Sequence, residues 1–226
     1  MSVSKYRHGI TSSVTHILLC KGSPVNFQEF LLSRVFASYL RRTPYMVNWS
    51  HMRLFIAINF SDEVKDALCE TAAELKAASR RGRVVRRENL HLTLVFIGET
   101  DCVDDILAVI EEAAKEAFTE PIAITLSEAG IFKGRGGDLH WVGVENTPAL
   151  KRLARELAEG LRAEGFEIEK RRFTPHITIG REIVLSGPAD IRVHAASMTA
   201  DHISLMKSER ADGRLVYTEL AAVYRE

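Results

Sequence analysis

ENLHLTLVFIGE, residues 88–99, and RRFTPHITIGR, residues 171–181, each carry histidine, apolar, threonine, apolar: HLTL at 91–94 and HITI at 176–179. Both stretches are rich in apolar and β-branched residues and end near a glycine, which reads as strand. Side chains alternate across a strand, so His91 and Thr93 share one face while Leu92 and Leu94 share the other. His176 and Thr178 repeat the arrangement, with Ile177 and Ile179 opposite. Two such strands side by side would bury their apolar faces and present a polar floor of two imidazoles and two hydroxyls. With 8 histidines and 13 threonines in 226 residues, chance supplies about 0.5 H-x-T matches, so one match alone would mean nothing. Two matches that share apolar partners, strand context and a preceding basic stretch carry a functional reading.

Outward from these strands, the chain from Met52 alternates short apolar strands with helices. A strand is expected over Arg53–Phe60. Ser61 caps a helix with Val64, Leu68 and Leu75 on one face, ending near Ser79, and a basic loop with Arg80, Arg81, Arg83, Arg86 and Arg87 leads into HLTL. Asp101 is expected to cap a second helix with an apolar stripe of Val103, Ile106, Leu107, Ile110 and Ala114. Strands around 122–129 and 139–144 flank KGRGGD (133–138), a hairpin turn and not a phosphate loop, because no helix opens behind it. Thr147 and Pro148 start a third helix, Leu150, Leu153, Leu157 and Leu161 give its buried face, and Gly165 stops it. DHISLMKSE and LVYTELAAVY flank ADGR (211–214) as a terminal hairpin. This order is that of an α+β domain, and the two motifs, 85 residues apart, suggest two related halves facing each other.

The chain has 30 basic and 30 acidic residues, which argues against wrapping nucleic acid through bulk charge and leaves any RNA contact to local clusters. No apolar run approaches the roughly 18 to 20 residues that cross a bilayer. Three cysteines, Cys20, Cys69 and Cys102, form no close pair, so they support neither a disulfide framework nor a C-x-x-C site and fit a reducing, cytoplasmic setting. Residues 1–51 differ from the rest, with six basic side chains and one acid. They read as a translated region upstream of a start at Met52, a targeting segment or an extra element, and the functional domain is expected at 52–226.

The chemistry suited to two histidines and two threonines on one floor is displacement at phosphorus. One imidazole removes a proton from the nucleophile and the other protonates the leaving oxygen, each role contributing ~10²- to 10⁴-fold at an unperturbed pKa of about 6.5. Threonine hydroxyls and arginine can hold the non-bridging oxygens, and no metal or other cofactor is required.

RLFIAINF (53–60), ENLHLTLVFIGE and RRFTPHITIGR together resemble the 2H phosphoesterase superfamily, specifically the LigT-like RNA 2′,3′-cyclic phosphodiesterases, also called 2′-5′ RNA ligases. The resemblance covers nearly all of 52–226 and none of 1–51. It implies a bilobal α+β fold, two antiparallel sheets forming a central cleft with helices packed outside. It also implies hydrolysis of a terminal RNA 2′,3′-cyclic phosphate to a 2′-phosphomonoester, with reversible 2′-5′ ligation as a related activity. His176 would be the proton acceptor and His91 the proton donor, although the pseudo-symmetric site admits either order. Thr93, Thr178 and Arg181 would bind the phosphate. Strand alternation alone puts Arg181 on the wrong face, so a strand end or bulge near Gly180 must re-aim it. By the same resemblance Phe96 would line the base pocket, with core packing as its alternative.

His140 is a candidate lining residue against a packed one. His202, with Ser204 a third near-copy of the motif, is read as a strand residue, and His8, His16, His51 and His194 belong to no constellation. Basic clusters at Arg80–Arg87, Lys133 with Arg135, and Lys170–Arg172 are candidates for an RNA rim. Expected partners are RNA ends with 2′,3′-cyclic phosphates, tRNA fragments among them, or nucleotide cyclic phosphates, bound by a monomer. The rival readings are a non-catalytic RNA-end-binding module and a 2H phosphodiesterase for small nucleotides.

Overall fold

The computed structural model describes residues 52–225; the expectations for 1–51 lie outside the described residues. Nine strands and three helices run β1 (Met52–Asn59), α1 (Asp62–Ala77), β2 (Ser79–Val84), β3 (His91–Thr100), α2 (Val103–Ala117), β4 (Ile122–Phe132), β5 (Asp138–Val144), α3 (Pro148–Ala163), β6 (His176–Leu185), β7 (Ser197–Ala200), β8 (His202–Ala211) and β9 (Arg214–Tyr224). They form two antiparallel sheets, a four-stranded one in the order β3-β1-β8-β9 and a five-stranded one in the order β2-β6-β5-β4-β7. Each sheet therefore holds one H-x-T-x strand.

The helices cover the outer faces, with α1 against β2 and β6, and α2 and α3 against each other and against β8, β9 and β3. Leu54, Ile56 and Ile58 on β1, Leu68 and Leu75 on α1, Ile106 and Ile110 on α2, and Leu153, Leu157 and Leu161 on α3 join one core, each at most 1% exposed. Phe55 and Ala57 on the other face of β1 form a second apolar cluster with Met206 and Tyr217. That is why MRLFIAIN is apolar nearly throughout: a central strand is buried on both faces.

Local signals act as their chemistry requires. Ser61 Oγ accepts from Val64 N at 3.5 Å and Thr147 Oγ1 from Leu150 N at 3.2 Å, each capping its helix. Asp212 and Gly213 have φ of 50° and 74°, the pair of positive values that a two-residue hairpin turn needs. The second helix departs from expectation: its N-cap position falls on Cys102, with no side-chain cap hydrogen bond. The basic stretch Arg80–Arg87, expected as a loop, instead begins in the edge strand β2, exposed along most of its length. Arginines on an edge strand discourage further pairing and erase the alternation that marks a strand. The four-residue β7 is too short to show a period in the sequence.

Candidate active site

The two motif strands share more than four letters. From His91 to Phe96 and from His176 to Arg181 the exposure runs half-buried, buried, half-buried, buried, buried, exposed. Two successive inward residues, Leu94 with Val95 and Ile179 with Gly180, mark a bulge in each strand. Across from the first, Ala57 pairs with Thr93 while Ile56 pairs with Val95; across from the second, Trp141 pairs with Thr178 while His140 pairs with Gly180. Each bulge flips the alternation, so Phe96 and Arg181 return to the face of their histidine and line the same cleft. Gly180 is required at its bulge because a Cβ there would lie 2.7 Å from Leu75 Cδ2 of α1 and 2.9 Å from Ile183 Cγ1.

The cleft between the sheets has a volume of about 970 Å³, and His91, Thr93, Phe96, His176, Thr178 and Arg181 all line it. Each histidine is oriented by the carbonyl two residues upstream: Nδ1 of His91 lies 2.8 Å from Asn89 O, and Nδ1 of His176 lies 2.8 Å from Thr174 O. A carbonyl only accepts, so Nδ1 carries the hydrogen in both rings and the lone pair of a neutral imidazole sits on Nε2. The Thr93 hydroxyl, 3.0 Å away, donates to Nε2 of His91. The second oxygen-bearing pair, His176 and Thr178, stands across the floor.

The surroundings of the two rings differ. His91 packs against Phe55 and Tyr217, with centroids 4.8 and 4.9 Å away, and Phe55 and Tyr217 also touch each other. This enclosure pushes its pKa from 6.5 down to about 4, chiefly through burial; the Asn89 carbonyl acts upward, and the positive charges of Arg181 and His176 act downward. The two motif strands approach each other and line one cleft. His176 meets Phe132 and Trp141 edge-on, at 5.1 and 6.1 Å. Trp141 lies over Gly130, where any Cβ would collide with its ring.

His140 does not join the cleft. It shares the helix-facing side of β5 with Val142 and Val144, is 5% exposed, and burial lowers its pKa. His202 is paired with Asp201 at 2.6 Å and stacked on Tyr224 outside the cleft lining. His194 bridges Glu70 and Glu74 of α1 at 2.8 and 2.9 Å, a structural tie. Of the basic clusters, Arg83 and Arg86 reach the cleft, whereas Arg87 turns to Asp62 and Asp66, Lys133 to Asp138 and Arg171 to Glu169. Sequence reasoning missed Phe55, Tyr217 and Asn89. A central strand buried on both faces gives no sign of which face meets the site, and a backbone carbonyl has no letter. Among the described residues no group of three or more His, Cys, Asp or Glu side chains is placed to hold a metal ion.

A family model described as the 2′-5′ RNA ligase superfamily matches residues 64–212. An RNA 2′,3′-cyclic phosphodiesterase of Thermotoga maritima is 39% identical over 132 residues, 58% of this chain and 70% of that protein. One of Methanothermobacter thermautotrophicus is 31% identical over 183 residues, 75% of this chain and 96% of that protein. Among solved structures, Escherichia coli LigT complexed with 3′-AMP superimposes with a TM-score of 0.66 at 28% identity, covering 78% of this chain and 99% of that one.

Proposed function

The chain belongs to the 2′-5′ RNA ligase superfamily, and from that premise we propose that this RNA 2′,3′-cyclic phosphodiesterase adds water to the cyclic phosphate at an RNA 3′ end and leaves a 2′-phosphomonoester. The observation that carries the reading is the pair of imidazoles from two sheets, each pinned by an upstream carbonyl with Nε2 free of that restraint, in one cleft. In the proposed step Nε2 of His176 takes a proton from water as the oxygen bonds to phosphorus. The bond from phosphorus to the 3′-oxygen breaks, and that oxygen takes a proton from Nε2 of His91. Thr93, Thr178 and Arg181 hold the non-bridging oxygens, where charge builds in the transition state. An RNA 5′-hydroxyl in place of water gives a 2′-5′ linkage by the same bond changes.

His91 must enter this cycle protonated, yet its enclosure keeps the imidazole neutral in the open cleft. On the proposed reading the phosphodiester anion, seated against the ring, returns the proton: an adjacent negative charge favours the imidazolium. The same enclosure supports a second reading in which the roles are exchanged, His91 as base and His176 as acid. A cyclic phosphate with sulfur at the 3′ position separates them, because a thiolate leaves without a proton. Under the first order, His91→Ala recovers most of its lost rate on the 3′-thio substrate and His176→Ala does not; under the second, the recovery moves to His176→Ala. Loss of activity in EDTA would contradict the metal-independent step.

Both histidines come from one chain, which supports action as a monomer. Among the described residues no helix is long and apolar enough to cross a membrane. The reading has the enzyme working in the cytoplasm on RNA ends, tRNA fragments among them.

A further inference from the structure

Two arginines on the β8–β9 hairpin, Arg210 and Arg214, line the cleft and have no assigned part in the chemistry above. Both are exposed, and among the described residues neither side chain makes an ion pair or hydrogen bond. Other cations of the cleft wall are engaged: Arg83 with Glu182 at 3.2 Å, Arg86 with Glu88 at 3.0 Å, and Arg53 over the Phe96 ring at 5.0 Å. The neighbouring acid, Glu209, is held by Lys207 at 2.7 Å, so it does not neutralise the hairpin arginines.

The hairpin is also fixed with respect to the histidines. Leu215 O accepts from Arg86 Nη2 at 2.6 Å and from Asn89 Nδ2 at 3.0 Å, and it is the carbonyl of that same Asn89 that orients His91. Tyr217, on the same strand, packs against the His91 ring at 4.9 Å. Arg214 precedes Tyr217 by three residues, about 10 Å along a strand. The tight two-residue turn at Asp212 and Gly213 leaves the arm little slack.

An RNA strand whose terminal cyclic phosphate lies between the histidines continues through the 5′-oxygen of its last ribose, so it carries its next phosphate out of the cleft. We propose that Arg210 and Arg214 bind this phosphodiester on the 5′ side of the terminal nucleotide, making the enzyme selective for strand ends over nucleoside cyclic phosphates that lack the group. Guanidinium forks suit a diester's two non-bridging oxygens, and with no internal partner they break no existing bond to engage it. The inference rests on the reading of the cleft as the cyclic-phosphate site.

The test compares three substrates: a nucleoside 2′,3′-cyclic phosphate, the same compound with a 5′-phosphate, and a dinucleotide ending in a 2′,3′-cyclic phosphate. In the wild type kcat/KM rises about tenfold on adding the 5′-phosphate and stays high for the dinucleotide, as one charge-assisted hydrogen-bonded pair supplies. In Arg210→Ala/Arg214→Ala the rise disappears while the bare nucleoside cyclic phosphate is turned over as before. The salt dependence of kcat/KM on the dinucleotide becomes shallower, by a slope of about 0.7 for each phosphate that the variant no longer neutralises. Persistence of the rise in the double variant, or no rise in the wild type, overturns the inference while leaving the cleft reading intact. No turnover of any of the three by the wild type overturns both.

Discussion

The strands β3 and β6 bring the same letters and the same exposure to opposite sides of one cleft, yet they end as different tools. On β3 the ring of His91 is enclosed by Phe55 and Tyr217, its Nε2 is met by Thr93, and the bulge delivers an apolar ring, Phe96. On β6 the ring of His176 leans edge-on against Phe132 and Trp141, and the bulge delivers a cation, Arg181. Two similar halves thus give an asymmetric site, as a reaction at phosphorus needs: nucleophile and leaving group sit on opposite sides of one atom and exchange protons in opposite directions. The shared part is the carbonyl-pinned histidine with its threonine. What differs is the shell around each.

The largest effect is expected where the halves are alike. His91→Ala and His176→Ala should each lower kcat on a cyclic-phosphate substrate by ~10²- to 10⁴-fold, and the double variant should fall well short of the product of the two, since the residues act as a unit. Nearly multiplicative losses would break the pairing. The next effect is expected at the sixth position, where they differ. Arg181→Ala should cost ~10²- to 10³-fold in kcat as charge stabilisation is removed. Arg181→Lys should restore only part, because an ammonium lacks the fork. Phe96→Ala should act mainly on KM. Comparable kcat losses at both positions would remove the distinction drawn between the bulges.

A smaller effect is expected from the bulge itself. Gly180→Ala forces a Cβ against Leu75 and Ile183, and a crowded core position of this kind costs about 1–3 kcal/mol. Denaturant unfolding measures that cost, and a fall in kcat in the still-folded variant would show that Arg181 has been mis-aimed. A further effect, on stability as a function of pH, comes from His91. Its folded pKa of about 4 lies below the ordinary 6.5, so between those values the unfolded chain holds a proton that the folded chain refuses. Stability should therefore fall as pH drops from 6.5 towards about 4. His91→Gln should flatten that part of the stability curve.

Much of this asymmetry was invisible in the letters. The strands other than β2 and β7, the three helices, the terminal hairpin and the shared face of His91 with Thr93 and of His176 with Thr178 were legible, because period-2 and period-3.6 patterns are local properties; Phe96 and Arg181 came from the family resemblance. The need for a bulge at Gly180 was legible too, as a conflict between Arg181 and strict alternation. The matching bulge on β3 was not: Val95 and Phe96 are both ordinary strand residues, and only pairing with β1 reveals the extra residue. Arg80–Arg87 read as a loop because an exposed edge strand loses the hydrophobic alternation that marks strands. His140 and Trp141 are adjacent letters, and choosing which faces the cleft depends on knowing that Val142 packs on the helix side. Tyr217 and Asn89, which set the character and tilt of His91, act through a ring packed across more than a hundred residues of chain and through a backbone carbonyl.

The central claim is that two histidines, one from each sheet, open a cyclic phosphate between them. The most direct measurement incubates an oligonucleotide ending in a 2′,3′-cyclic phosphate, in EDTA, with the wild type, His91→Ala and His176→Ala, and identifies the terminal product. A 2′-phosphomonoester formed by the wild type and by neither variant is the predicted result. A 3′-phosphate product, or undiminished turnover in either variant, would contradict it.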